Sequence, residues 1–139
     1  MASDAPWASE LMTTGVAGRE ITRILLDNAV TIQLWQMGRP TAEIKLEEDF
    51  ELIQPAVGRV LVDPEALGDR AVVVAALFGA VVRDIAVAET GVLTVTFADS
   101  RVMSASPHAQ YESWSYVSDD GGRVICGPGG GLAIWDPLT

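Results

Sequence analysis

From Ile21 onward, apolar residues recur at every second position, and each run ends in Gly, Pro, Asn, Asp or Ser. Successive side chains on a strand leave on opposite sides, so this period marks strands with one face turned to a core. Ile24 and Leu26 precede Asp27-Asn28, and Val30, Ile32 and Leu34 follow, which reads as a hairpin about an Asx-type turn. Ile85 and Val87 lead through Glu89-Thr90-Gly91 to Leu93, Val95 and Phe97 in the same way. Residues 43–52 alternate almost without fault, with Ile44, Leu46, Phe50 and Leu52 on one face and Glu43, Lys45, Glu47, Asp49 and Glu51 on the other. Glu48 falls on the apolar face, where a bulge would turn it outward. Further short strands are expected near 101–104, 111–117, 124–126 and 132–135, with Ser118 to Gly122 as a turn and Gly127 to Gly131 as a link.

Helix signals are few. Asp63-Pro64-Glu65 has the form of an N-cap and first turn, and Gly79 that of a stop. The stretch between them is apolar nearly all round at Val72 to Phe78, so it should pack on a sheet. Residues 1–18 show weak periodicity, interrupted by Gly15 and Gly18, and read as a flexible N-terminal arm before a single domain over 19–139. Trp7 could anchor that arm to a groove or to a second chain, which leaves a homodimer open. The two halves echo each other, since Ile24 to Phe50-Glu51 parallels Ile85 to Tyr111-Glu112. The expected fold is therefore α+β: a mostly antiparallel sheet of six to eight short strands, set out as two related meanders, with one apolar helix packed on it.

Nineteen carboxylates oppose nine basic side chains, and the resulting charge of −10 repels phosphate backbones and anionic lipid. Neither nucleic acid nor a membrane is expected as a partner. The longest apolar run, Ala71 to Val82, falls short of the ~20 residues that a spanning helix needs. The lone Cys126 cannot close an intramolecular disulfide, and no basic segment followed by an apolar stretch opens the chain, so a cytoplasmic location is expected.

Candidate chemistry is thin. His108 and Glu112 stand four apart, but on strand and turn and with one histidine in the chain, so neither a metal site nor a cofactor is expected. Cys126 and His108 could form a thiolate-imidazole pair, although a cysteine beside Val124 and Ile125 is usually a small buried hydrophobe. The Gly127–Gly131 run has neither the lysine nor the following helix of a phosphate loop and suits a tight strand link. Glu43, Glu47, Glu48, Asp49 and Glu51 form the densest charge, either a solvated strand face or a docking surface. Tyr111, Trp114, Tyr116 and Trp135 include the residue types that dominate binding hot spots. Trp114 and Tyr116 share a face, so about half of this set should be core, with Tyr111 and Trp135 the better surface candidates. The candidate binding residues are Glu43, Glu47, Asp49, Glu51, Tyr111, Glu112, Trp114 and Trp135.

The strings Gly91-Val92-Leu93-Thr94-Val95-Thr96-Phe97-Ala98-Asp99, Tyr111-Glu112-Ser113-Trp114 and Pro128-Gly129-Gly130-Gly131-Leu132-Ala133-Ile134-Trp135 carry a resemblance. The chain resembles a family of small domains from high-GC, actinobacterial-type bacteria without an assigned activity, with Ser100 standing where the family pattern has Gly. A looser likeness, through Tyr-Glu-x-Trp, is to bacterial immunity proteins that neutralise toxins. The expected function is a non-enzymatic protein-binding module, immunity-like, whose acidic face engages a protein with a basic face. The second reading is a small-molecule-binding domain with a Trp- and Tyr-lined pocket, and the third a hydrolase using Cys126 or a carboxylate pair.

Overall fold

A computed structural model describes residues 4–138. In chain order they form α1 (Ala5–Val16), β1 (Glu20–Leu26), β2 (Val30–Gln36), β3 (Arg39–Leu46), β4 (Phe50–Gln54) and β5 (Gly58–Val62). Then come α2 (Arg70–Ala75), β6 (Val82–Val87), β7 (Leu93–Phe97), β8 (Val102–Ala105), β9 (Trp114–Ser118), β10 (Arg123–Cys126) and β11 (Leu132–Trp135). A 3-10 turn, Pro128–Gly130, joins the last two strands. The fold is α+β, and among the described residues eleven strands, all pairing antiparallel, divide between two sheets. One sheet has the order β1-β2-β3-β9-β10-β11 and the other β5-β4-β8-β7-β6.

These orders are one pattern used twice. Advancing the chain by five strands turns β1-β2-β3-β9-β10 into β6-β7-β8-β4-β5, the second sheet read from its other edge. Register obeys the same rule. Leu46 lies opposite Trp114 and Ile44 opposite Tyr116, while Ala105 lies opposite Phe50 and Met103 opposite Leu52. Where the halves meet, the Gly18 N–H donates to the Val82 carbonyl at 2.8 Å, and the Gly79 N–H to the Ile21 carbonyl at 2.7 Å. The Ile21 N–H donates to Ala80 and the Val82 N–H to Arg19, again as a matched pair. Each half thus contributes a three-stranded meander to one sheet and a hairpin to the other.

The inward rows explain why the alternation exists. Val30, Leu46, Trp114 and Cys126 form one row across the first sheet, and Ile32, Ile44, Tyr116 and Val124 the next, all buried. Phe50, Leu52, Val62, Leu93, Val95, Phe97 and Met103 cover them from the second sheet. Removing such a set from water is the main favourable term in folding a chain of this size.

Three expectations are corrected. Residues 43–52 are not one strand. They are β3, a three-residue link and β4, and Glu47, Glu48 and Asp49 carry the chain from one sheet to the other. Glu48 sits in that link and not at a bulge.

The arm is a helix. Ala5, Ala8, Leu11, Met12 and Val16 of α1 are buried, and the Ser9 hydroxyl accepts from the Val87 N–H at 2.8 Å on the edge strand β6. A Cβ at Gly15 would lie 1.8 Å from the Tyr116 hydroxyl oxygen, so only glycine lets α1 approach the core this closely.

The helix expected from Asp63 to Gly79 is confined to α2. Asp63 instead closes a turn, accepting from the Glu65 N–H at 3.0 Å, and the chain turns again at Gly68 before the short helix begins. Of α2 itself, only Val74 is buried, so α1 supplies most of the helical contribution to the core.

Candidate functional site

The link between β3 and β4 forms one wall of an open cleft of about 500 Å³. Lys45, Glu47 and Glu48 line it there, Asp27, Asn28 and Ala29 come from the β1–β2 turn, Glu65 from the turn after β5, and Tyr111 and Glu112 from the loop before β9. Five carboxylates face one ammonium group, and Lys45 Nζ is already 3.7 Å from Glu47 Oε1. A second hollow of about 240 Å³ shares Lys45, Glu47 and Glu112 and runs on to Glu43 and Arg123 on the outer face of the first sheet. Asp49 and Glu48 continue the acidic surface on the other side, beside His108. Among the described residues, no three of His, Cys, Asp and Glu converge as a metal would need. The carboxylates are spread along a surface and are not gathered about one point.

The duplicated scaffold shows why a cleft exists here. In the other half, the β6–β7 turn occupies the place of the β1–β2 turn, and the glycine loop between β10 and β11 lies directly on it. Gly130 comes so near Gly91 that a Cβ on Gly91 would lie 2.8 Å from the Gly130 Cα. Trp114 Nε1 donates to the Gly91 carbonyl at 3.0 Å, and Cys126 Sγ approaches the same oxygen at 3.6 Å. Phe50, on β4 of the second sheet, holds the counterpart position to Trp114, and its side chain has no N–H to give. The chain that follows β5 also runs on to α2 without folding back as an eleventh-type strand. The second half is sealed by bare backbone; the first is left open and lined with acid.

The candidate residues divide accordingly. Glu47, Tyr111 and Glu112 meet in the cleft, with Glu43 and Asp49 on its two flanks. Glu51 does not join them. It lies on the outer face of the second sheet, in an ion pair with Arg59 at 2.9 Å, because the link moves it to the opposite sheet. Trp114, a candidate binding residue, is instead fully buried beside Tyr116 in the core half of the aromatic set, and its place on the inward row leaves it no access to a partner. Trp135 is exposed on the outer face at the edge strand β11, with the Arg123 guanidinium 5.7 Å above its ring. Asp27 and Glu65 were not anticipated. Each is an isolated acidic residue in a turn, and only the meeting of the β1–β2 turn with the end of β5 brings them together.

Cys126 and His108 do not form a nucleophilic pair. Burial pushes the thiol up to about 11, the wrong direction for a nucleophile, and His108 Nδ1 accepts from the Gln110 and Tyr111 N–H groups as a loop-shaping contact. The glycine loop packs on the protein's own Thr90 and Gly91.

Fold and cleft together define a duplicated, antiparallel α+β domain with one sealed and one open acidic pole. The chain belongs to the Family of unknown function (DUF6188), whose model matches residues 12–136, from within α1 to just past β11. No curated protein and no solved structure matches it.

Proposed function

We propose that this is a non-enzymatic protein-binding module that uses the acidic cleft and its flanks to engage a basic face of a partner protein. The supporting observation is the cleft of Asp27, Glu47, Glu48, Glu65 and Glu112 at the point where the equivalent turn of the other half is sealed. Like-sign groups held at one open surface repel each other and gain from a cationic counterpart, which also accelerates encounter. Tyr111, 60% exposed at the rim, adds an amphipathic ring for a partner's side chain to lie on. An intracellular immunity-type role, in which a compact acidic domain blocks a basic effector, is the biological setting this chemistry favours.

Pull-down at low salt, followed by salt titration of each captured partner, tests the reading. The variant Glu47→Lys with Glu112→Lys is expected to slow association by about tenfold, and raised salt to slow the wild type similarly. Glu51→Lys, on the far sheet, should leave the rate unchanged. Partners that are all acidic, or binding indifferent to salt and to the double reversal, would reduce the cleft to a solvated surface.

A further inference from the structure

The shift that relates the two sheets leaves one strand over. β11 pairs along the outer edge of β10, and β10 corresponds to β5, yet among the described residues β5 ends its sheet with β4 as its one neighbour. The correspondence holds residue by residue. Cys126 and Val124 lie opposite Trp114 and Tyr116 as Val62 and Val60 lie opposite Phe50 and Leu52, and Arg123 falls where Arg59 does. In the first sheet, Leu132 and Ile134 of β11 stand opposite Cys126 and Val124 and pack against the core, and Cys126 and Val124 are fully buried. The second sheet has no such cover: Val60 is only partly buried, and Leu61 beside it is 54% exposed. Among the described residues, no hydrogen bond joins the β5 backbone to any segment but β4. The outer edge of β5 therefore keeps a row of N–H and carbonyl groups that an added strand could pair with.

The internal precedent also sets direction and approach. β11 runs antiparallel to β10 and is reached through the glycine loop, which lies on the β6–β7 turn. A segment laid on β5 in the same way crosses the β1–β2 turn first. That turn lines the acidic cleft with Asp27, and Glu65 of the same cleft follows closely after β5. Cleft and edge are thus successive stretches of one track, the first suited to cations and the second to an extended backbone with apolar side chains at alternate positions. A second copy of the chain suits this track poorly, because its net charge of −10 is repelled by the cleft and its own β11 is led in by glycines without a cation.

We propose that β5 completes its sheet in trans: an extended segment of the partner protein, basic residues first and then a short strand of alternating apolar residues, enters over the cleft and pairs antiparallel along β5. This rests on the acidic cleft engaging a basic partner, and it names the form that the partner presents.

Hydrogen exchange of the full chain tests it, with a synthetic peptide in which a lysine pair precedes the sequence of residues 131–135, a copy of β11. At roughly 1 mM peptide, as suits a short added strand, exchange of amides within residues 58–62 should slow at least several-fold, with those of β10 unchanged. An added strand bonds through one of its two edges, so methylating one alternate set of peptide nitrogens should abolish binding and methylating the other should leave it within about twofold. Replacing the lysines by serines, or pairing Glu47→Lys with Glu112→Lys in the protein, should weaken binding about tenfold. A peptide that binds with β5 exchange unchanged, or that tolerates both methylation patterns, overturns the added strand and leaves the cleft as a basic-partner site. Protection of β5 that ignores both the lysines and the charge reversal overturns the cleft reading and, with it, the segment proposed here. No binding at that concentration overturns the added strand, and β5 protection that grows with protein concentration in the absence of peptide overturns it in favour of a second copy.

Discussion

The Gly91 carbonyl receives both the Trp114 indole and the Cys126 thiol, so a residue chosen for lacking a side chain organises two of the most buried ones. Burial without a nearby cation disfavours the thiolate, and the Cys126 thiol titrates near 11 instead of its usual range. Below that value the folded protein holds a neutral thiol, which neither attacks nor oxidises readily. Native protein at about pH 8 should therefore fail to react with an aromatic disulfide reagent, and guanidinium-unfolded protein should release one equivalent per chain. Fast reaction of the native form would show an open thiol. Asp120 illustrates the opposite shift: its hydrogen bonds from Ser118 and then from the Gly122 N–H hold its carboxyl below the usual value. Its contribution to stability is present above the ordinary aspartate range and is lost as pH falls through the depressed value.

At the scale of elements, strands were the legible part and helices were not. Alternation located both β-hairpins of the meanders because each strand has one wet and one dry face. It also hid the passage from β3 to β4. Three linking residues keep the parity of the pattern, so Ile44, Leu46, Phe50 and Leu52 all point inward although they belong to different sheets. Helix α1 escaped because its buried face uses Ala5 and Ala8, whose small side chains give little apolar contrast, and because Gly15 reads as a breaker when it is a contact. The acidic cleft was half visible: Glu47 and Glu112 carry a local signal, whereas Asp27 and Glu65 depend on turns far apart in sequence. From the packing of α1, Met12→Ala should cost roughly 3 kcal/mol. Deleting residues 1–16 should abolish the cooperative thermal transition, since it uncovers the β6 edge and the core beneath. A deletion that melts within a few degrees of the full chain would mean that α1 is an appendage.

The whole molecule is held together by strands exchanged between its halves. β3 depends on β9 and β4 on β8, so neither half owns a complete sheet. Residues 1–66 and 67–139, made separately, are expected to lack stable structure by circular dichroism and to regain the native spectrum when mixed. A stable native-like spectrum from either fragment alone would contradict the interlocked arrangement. The same interlock has a meaning during synthesis. Ribosomes deliver the chain from its N-terminus, and domains generally fold as units once enough of the sequence has emerged. Here β4 waits, unpaired on one side, until β8 appears about fifty residues later, and β3 until β9 appears about seventy residues later. The nascent first half thus emerges with its apolar strands and the Glu47–Asp49 link before their cross-half partners exist. Native pairing of β3 and β4 therefore waits on the second half of the chain, and charged residues such as those of the Glu47–Asp49 link are the kind that disfavour aggregation of an exposed strand in the meantime.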